Sequence, residues 1–97
     1  MNRFECDRNK ARSNYRKHLV RFTEAGRALN SAHSLTGRSP QSEAVGEERN
    51  VSIANLVDGR SVVIVWTPRK ENVRIISVRR AQKHEKEALN AYLKSLQ

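Results

Sequence analysis

Between residues 50 and 80 the apolar side chains fall largely at every second position, and this constrains the fold more than any other feature. Asn50–Val57 alternates, with Val51, Ile53 and Val57 on one side of an extended chain. Asp58-Gly59 follows, a pair that signals a hairpin because both positions accept positive φ. Ser61–Thr67 is almost wholly apolar, as a central strand packed on both faces would be. Pro68–Asn72 turns the chain again, and Val73–Arg80 reads as a third strand. Strands in this order form an antiparallel meander.

The flanking segments have helical spacing. Phe4-Glu5-Cys6 is a short extended piece, and Asp7 can cap the helix after it by accepting a backbone N–H. From Arg8 to Leu19 the stripe Ala11, Tyr15, Leu19 recurs every four residues, and the rest of that helix is basic. A second helix is announced by Phe22 before Thr23, an apolar residue ahead of an N-cap candidate, with Ala25, Ala28, Leu29 and Ala32 on one face. Gly26 weakens that helix by about 1 kcal/mol relative to alanine. Residues 34–46 are rich in Ser, Gly and Pro, have no period, and read as a long loop. Gln82–Gln97 returns to helical spacing, with Ala88, Leu89, Tyr92, Leu93 and Leu96 on one face. The expected architecture is α+β: a short N-terminal strand, two helices, the meander and a C-terminal helix. Its helices pack on one sheet face and leave the other open.

Ninety-seven residues make a single domain, 1–97, with a modest aliphatic core, since aromatic residues are 5% of the chain. A deep cofactor cavity is not expected. The longest apolar run, Val62–Trp66, is five residues, far short of the roughly 20 that a membrane helix needs. The first residues have no apolar stretch suited to secretion. The lone Cys6 offers neither an internal disulfide nor a metal-ligand pair. These features predict a soluble cytoplasmic protein without a membrane partner.

The net charge of +9 is unevenly placed. Residues 1–27 and 61–97 each carry +5, and residues 28–60 carry −1. Two basic ends suit a phosphate-bearing or acidic partner if the fold brings them together. The most loaded segment is Val73–Arg80. Strict alternation places Arg74, Ile76, Val78 and Arg80 on one face and Val73, Ile75, Ser77 and Arg79 on the other. Guanidinium groups suit phosphate because their planar donors form paired charge-assisted hydrogen bonds. The competing role for these arginines is pairing with Glu85 or Glu87. His18 could move a proton, being the residue type that titrates near neutrality, or could simply finish its helix. Tyr15 is the one aromatic placed to stack on a base, while Trp66 and Tyr92 read as core. No zinc spacing, phosphate-binding glycine loop or nucleophile elbow is present.

Phe4-Glu5-Cys6-Asp7, Asn9-Lys10 and Arg16-Lys17-His18 followed by Phe22 resemble the opening of the BrnT family. So do Gly46-Glu47-Glu48-Arg49, Thr67-Pro68-Arg69, and Arg74-Ile75-Ile76-Ser77-Val78-Arg79-Arg80-Ala81 with Glu85 beyond it. The resemblance covers nearly the whole chain apart from residues 34–45. It implies a RelE-like fold and the toxin role in a type II toxin–antitoxin module, with ribonuclease activity that arrests translation. The implied partner is a BrnA-like antitoxin, a dimer that binds operator DNA and carries the toxin to it in a hetero-oligomer. Two positions depart from the family pattern: Cys6 stands where Trp is typical, which would repack the sheet edge. Leu19 follows His18 where Gly is usual, which removes a helix-stop signal.

The expected chemistry is metal-independent and cofactor-free cleavage of mRNA through attack by the 2′-hydroxyl. Arg79 and Arg80 would hold the phosphorane charge, and His18 or Glu85 would transfer protons. Lys10, Arg49, Arg69 and Arg74 would hold the RNA backbone. The alternative is a non-catalytic basic module that binds nucleic acid or an acidic protein, as a co-repressor would.

Overall fold

The computed structural model describes residues 4–31 and 33–97, so the expected place of Ala32 lies outside the described residues. The elements are β1 (Phe4–Glu5), α1 (Arg8–His18), α2 (Phe22–Leu29), β2 (Leu35–Arg38), α3 (Ser42–Val45), β3 (Asn50–Asn55), β4 (Ser61–Arg69), β5 (Asn72–Arg80) and α4 (Lys83–Ser95). They form an α+β domain around a five-stranded sheet of order β1-β5-β4-β3-β2. β1 runs parallel to β5, and the other neighbours are antiparallel.

The stretch 34–46 is not a long loop. Leu35–Arg38 pairs with Ile53–Asn50 at the sheet edge, and a short helix follows. Serine hydroxyls hold this segment in place of an apolar period: Ser42 Oγ accepts the Arg49 N–H at 2.9 Å, and Thr36 Oγ1 lies 2.7 Å from Ser52 Oγ. The hairpin after β3 forms at the expected place. Leu56 N–H donates to the Arg60 carbonyl (2.7 Å), Gly59 N–H donates to the Leu56 carbonyl (3.0 Å), and Gly59 adopts φ of +93°. β3 stops at Asn55, so Val57 sits on the turn, 99% exposed, and not on the strand face. The strand buries Ser52 and Ala54 instead.

β5 departs from strict alternation. Its register on β4 pairs Val78 with Ile64 and Ser77 with Val65, then Ile75 with Trp66, which leaves Ile76 as an extra, bulged residue. Val73, Ile75, Val78 and Arg80 therefore share one face, and Arg74, Ser77 and Arg79 share the other. Ile75 and Val78 are both buried in one cluster with Val20, Phe22, Ala25, Ala28, Val62 and Ile64, which fixes that face as the one under α1 and α2.

The helices start and stop for local reasons. Asp7 Oδ1 accepts the N–H groups of Asn9 (2.8 Å) and Lys10 (3.2 Å), which begins α1 as its sequence predicts. α1 ends at His18 despite the missing glycine, because Leu19 itself takes the left-handed conformation (φ 56°, ψ 31°) and donates to the Tyr15 carbonyl. α2 begins two residues earlier than a Thr23 cap would start it: Arg21 is the N-cap, and Glu24 Oε1 accepts its N–H at 3.1 Å. The Ala11–Tyr15–Leu19 stripe does not line the core. Ala11 packs on it, but Tyr15 and Leu19 are exposed, and the Arg21 guanidinium covers the Tyr15 ring at 5.1 Å. Cys6 is exposed, beside a small hollow of about 110 Å³ that Phe4, Phe22 and Ile75 also line.

The second sheet face is not wholly open. α4 contacts β3 and buries Leu89 completely, with Tyr92 and Leu93 half-buried. Val63, buried outside the main cluster, lies on this face, and Arg79 beside it binds Glu85 of α4. α4 therefore covers one part of the face and leaves the region around Arg74 clear of it.

Candidate nucleic-acid interface

The two basic ends of the chain meet at β5. β1 is so short that it pairs only with Val73 and Arg74, which leaves the rest of that β5 edge without a strand. α1 fills the gap: the amide of Asn14 reaches over, and its Oδ1 accepts the Val78 N–H at 3.1 Å. The helix face that turns to the strand is Lys10, Asn14, Lys17 and His18, four positions at helical three- and four-residue steps. Together with Ser13 of α1 and Ile76 and Ser77 of β5, they line a cleft of about 270 Å³. Its lining holds three groups able to carry positive charge and no carboxylate.

The bulge at Ile76 ties this cleft to the arginine-bearing face. Ser77 lines the cleft and also stands on the same sheet face as Arg74 and Arg79. Arg69, at the end of β4, continues the alternation of Val65 and Thr67 onto that face. Arg69 and Arg74 have no carboxylate at ion-pair distance among the described residues. Arg79 does: its Nη1 and Nη2 donate to Glu85 Oε1 and Oε2 at 2.8 and 2.7 Å, and its side chain remains 44% exposed. The two-point contact with Arg79, aided by the Gln82 N–H, holds the Glu85 carboxyl down at about 2, and in return the pairing raises Arg79. Glu85 is thus a fixed anion near neutrality.

The site residues expected from sequence divide into three groups. Lys10 and His18 share the cleft. Arg69, Arg74 and Arg79 share the adjoining face, with Glu85 attached to Arg79. Arg80 and Arg49 stand apart. Arg80 points to the opposite face from Arg79, near enough to Asp58 to help lower that carboxyl, which the Arg60 N–H lowers most. Arg49 precedes β3, two strands from β5, with Nε 3.3 Å from Glu47. Asn14, Lys17 and Ser77 were not singled out from sequence. The available signal was Asn14 midway between Lys10 and His18 at four-residue steps.

A larger hollow of about 490 Å³ between α1 and the start of α2 is lined by Arg12, Arg16 and Arg21, with no histidine or carboxylate. Among the described residues no three His, Cys, Asp or Glu side chains converge as a metal site would require, and no helix is long and apolar enough to cross a membrane.

Comparison with known proteins bears on the family and the fold. Residues 6–85 match the family model described as the ribonuclease toxin BrnT of type II toxin–antitoxin systems. Among solved structures, the crystal structure of the Brucella abortus ribonuclease toxin BrnT superposes with a TM-score of 0.66 at 16% identity. The match covers 86% of this chain and all of that one. The comparison with curated proteins gives no match.

Proposed function

The chain belongs to the BrnT family of ribonuclease toxins of type II toxin–antitoxin systems, and from this we propose that it is an endoribonuclease that cleaves mRNA internally without a metal cofactor. The observation that carries the reading is the cleft holding Lys10, Lys17 and His18, which adjoins the face of Arg69, Arg74 and Arg79. In this reaction the RNA 2′-oxygen bonds to the neighbouring phosphorus and the bond to the 5′-oxygen breaks. The products are a 2′,3′-cyclic phosphate and a 5′-hydroxyl. The 2′ proton goes to a base, and the leaving 5′-oxygen takes a proton from an acid or water. His18 is the proton-transfer group at hand, Arg79 holds the negative charge of the phosphorane, and Lys10, Arg69 and Arg74 bind the RNA backbone.

On this reading the roles expected from sequence become narrower. Arg80 faces away from Arg79, so one guanidinium rather than two serves the phosphorane. Glu85, bound at both oxygens by Arg79 and held as an anion, orients that arginine instead of moving protons. Arg49, paired with Glu47, serves at most the far end of the RNA track. The metal-free route is favoured by a basic cleft that contains no carboxylate to hold a cation. Membership in the family implies an antitoxin and an RNA substrate. We assign the antitoxin to the BrnA-like type, a DNA-binding dimer that carries the toxin to operator DNA in a hetero-oligomer. The site of action on mRNA is the cytoplasm, and the domain has a RelE-like architecture.

The test is incubation of purified protein with RNA under chelation of divalent metal, with mass analysis of the ends. Cyclic-phosphate and 5′-hydroxyl ends from wild type, formed about 10²–10³-fold more slowly by Arg79→Ala, support the assignment. RNA bound tightly but left intact would replace it with a non-catalytic binding module, whose affinity would fall steeply with salt.

A further inference from the structure

Asn14 holds the one buried side-chain polar atom without a hydrogen-bond partner among the described residues, its Nδ2. The orientation of this amide is not free. Val78 N–H is a donor and takes Oδ1 at 3.1 Å, so the other end of the amide must be the –NH₂. A buried donor left unmatched is costly, and native structures rarely keep one without a reason. Its surroundings say what would match it. The cleft that Asn14 lines offers the ammonium groups of Lys10 and Lys17, the His18 ring, and the hydroxyls of Ser13 and Ser77. All of these can donate and no carboxylate is among them, so the missing component is an anion rich in acceptors.

Resting on the ribonuclease reading above, we infer that this cleft seats one phosphate of the bound RNA, and that Asn14 Nδ2 donates a hydrogen bond to it. A tetrahedral phosphodiester brings two charged oxygens that accept from several donors at once, which suits two lysines and a fixed amide. Continuity supports RNA as the source, because Ser77 links the cleft to the face of Arg74 and Arg79 along which neighbouring phosphates would lie. Asn14 thereby has two duties: its Oδ1 ties α1 to the uncovered edge of β5, and its Nδ2 grips the substrate.

The test uses the full chain and a 2′-O-methyl oligoribonucleotide, which binds but cannot be cut. The key variant is Asn14→Asp, which keeps an acceptor for Val78 N–H and replaces the donor with oxygen. Expected results are a binding loss of about tenfold or more, little change in thermal midpoint, and shifts of the Asn14 side-chain amide signals in NMR when oligonucleotide binds wild type. Asn14→Leu, which removes the tie to Val78 as well, should lose stability in addition. Two results overturn the inference: wild-type affinity in Asn14→Asp, or Asn14 amide signals that stay put while those of Arg74 and Arg79 move, as in a cleft holding only water. Binding and amide shifts without any cleavage of ordinary RNA would overturn the ribonuclease reading alone. Failure of wild type to bind the oligonucleotide would overturn both.

Discussion

Arg79 and Glu85 are joined at both ends of their forks, Nη1 to Oε1 at 2.8 Å and Nη2 to Oε2 at 2.7 Å, across the link from β5 to α4. The same carboxylate accepts the Gln82 N–H at 2.7 Å, so one side chain both caps α4 and aims the guanidinium. This relationship separates the roles of the two residues. Arg79→Ala removes charge at the phosphorane and should lower cleavage by about 10²–10³-fold. Glu85→Gln can still cap the helix and leaves Arg79 in place but less constrained, so its loss should stay below about 10²-fold, with an unshifted pH profile. Cleavage rates of both variants against pH decide it. A lost acidic limb in Glu85→Gln would return proton transfer to Glu85.

The same pair sets a pH dependence of stability. The Glu85 carboxyl is lowered from 4.5 to about 2 in the fold, so on acidification the unfolded chain takes up this proton first. The stabilisation from Glu85 is therefore complete above about pH 4.5 and fades as pH falls toward about 2. Asp58, also lowered, acts in the same direction. Urea midpoints of wild type and Glu85→Gln should differ by a constant amount above about pH 5 and converge as pH falls to about 2, the window set by these values. A gap that persists at the acid end would mean that the pair does not stabilise through its charge.

Much of the scaffold was legible because its signals are local. Asp7 caps a helix, Asp58-Gly59 turns a hairpin, and the apolar run of β4 lies at the centre of the sheet, each set by a few neighbouring residues. β2 was not legible: Leu-Thr-Gly-Arg shows no alternation, and only its pairing with Asn50–Ile53 makes it a strand. The bulge was hidden for a different reason. Ile75 and Ile76 are chemically identical, and nothing local says that one of them leaves the register, yet the bulge decides whether Arg74 joins Arg79 or Arg80. The role of Asn14 depends on β1 stopping at Glu5, which no pattern inside α1 reveals. The site was thus half visible, as a list of cations without the arrangement that sorts them.

Gly26 illustrates a propensity argument reversed by packing. A Cβ built there would lie 2.7–2.9 Å from three carbons of the Phe4 ring, so β1 closes directly onto α2 at this point. Alanine would gain about 1 kcal/mol in helix propensity, but overpacking costs about 1–3 kcal/mol. Gly26→Ala should therefore destabilise by about 1 kcal/mol net, a fall in thermal midpoint of roughly 4–8 °C for a domain of this size. In a Phe4→Ala background the sign should invert, because the contact is gone. Urea denaturation of the two single variants and the double variant reads the coupling, and additive effects would show that the ring yields freely.

Leu19 presents the opposite case, a strained residue retained where glycine would be at ease. Its φ of 56° is the left-handed conformation, which costs a residue with a Cβ about 1–2 kcal/mol. The side chain gains little in return, being 57% exposed. A tether from another part of the chain supports this turn. Arg60 Nη1 donates to the Leu19 carbonyl at 2.7 Å, while Nη2 and Nε bind Glu24 (2.9 Å) and Asp58 (2.8 Å). Leu19→Gly should therefore raise stability by about 0.5–1 kcal/mol, the relief being partly offset by the greater freedom of glycine in the unfolded chain. Arg60→Ala should lower it by about 1–3 kcal/mol, since a charged donor to a carbonyl and to a half-buried carboxylate is lost together. Because the turn sits directly after His18, cleavage by Leu19→Gly measured beside its stability shows whether the strain serves the site. Unchanged cleavage with a higher thermal midpoint is the expected outcome, and a drop in cleavage would mean that the leucine conformation holds His18 in the cleft.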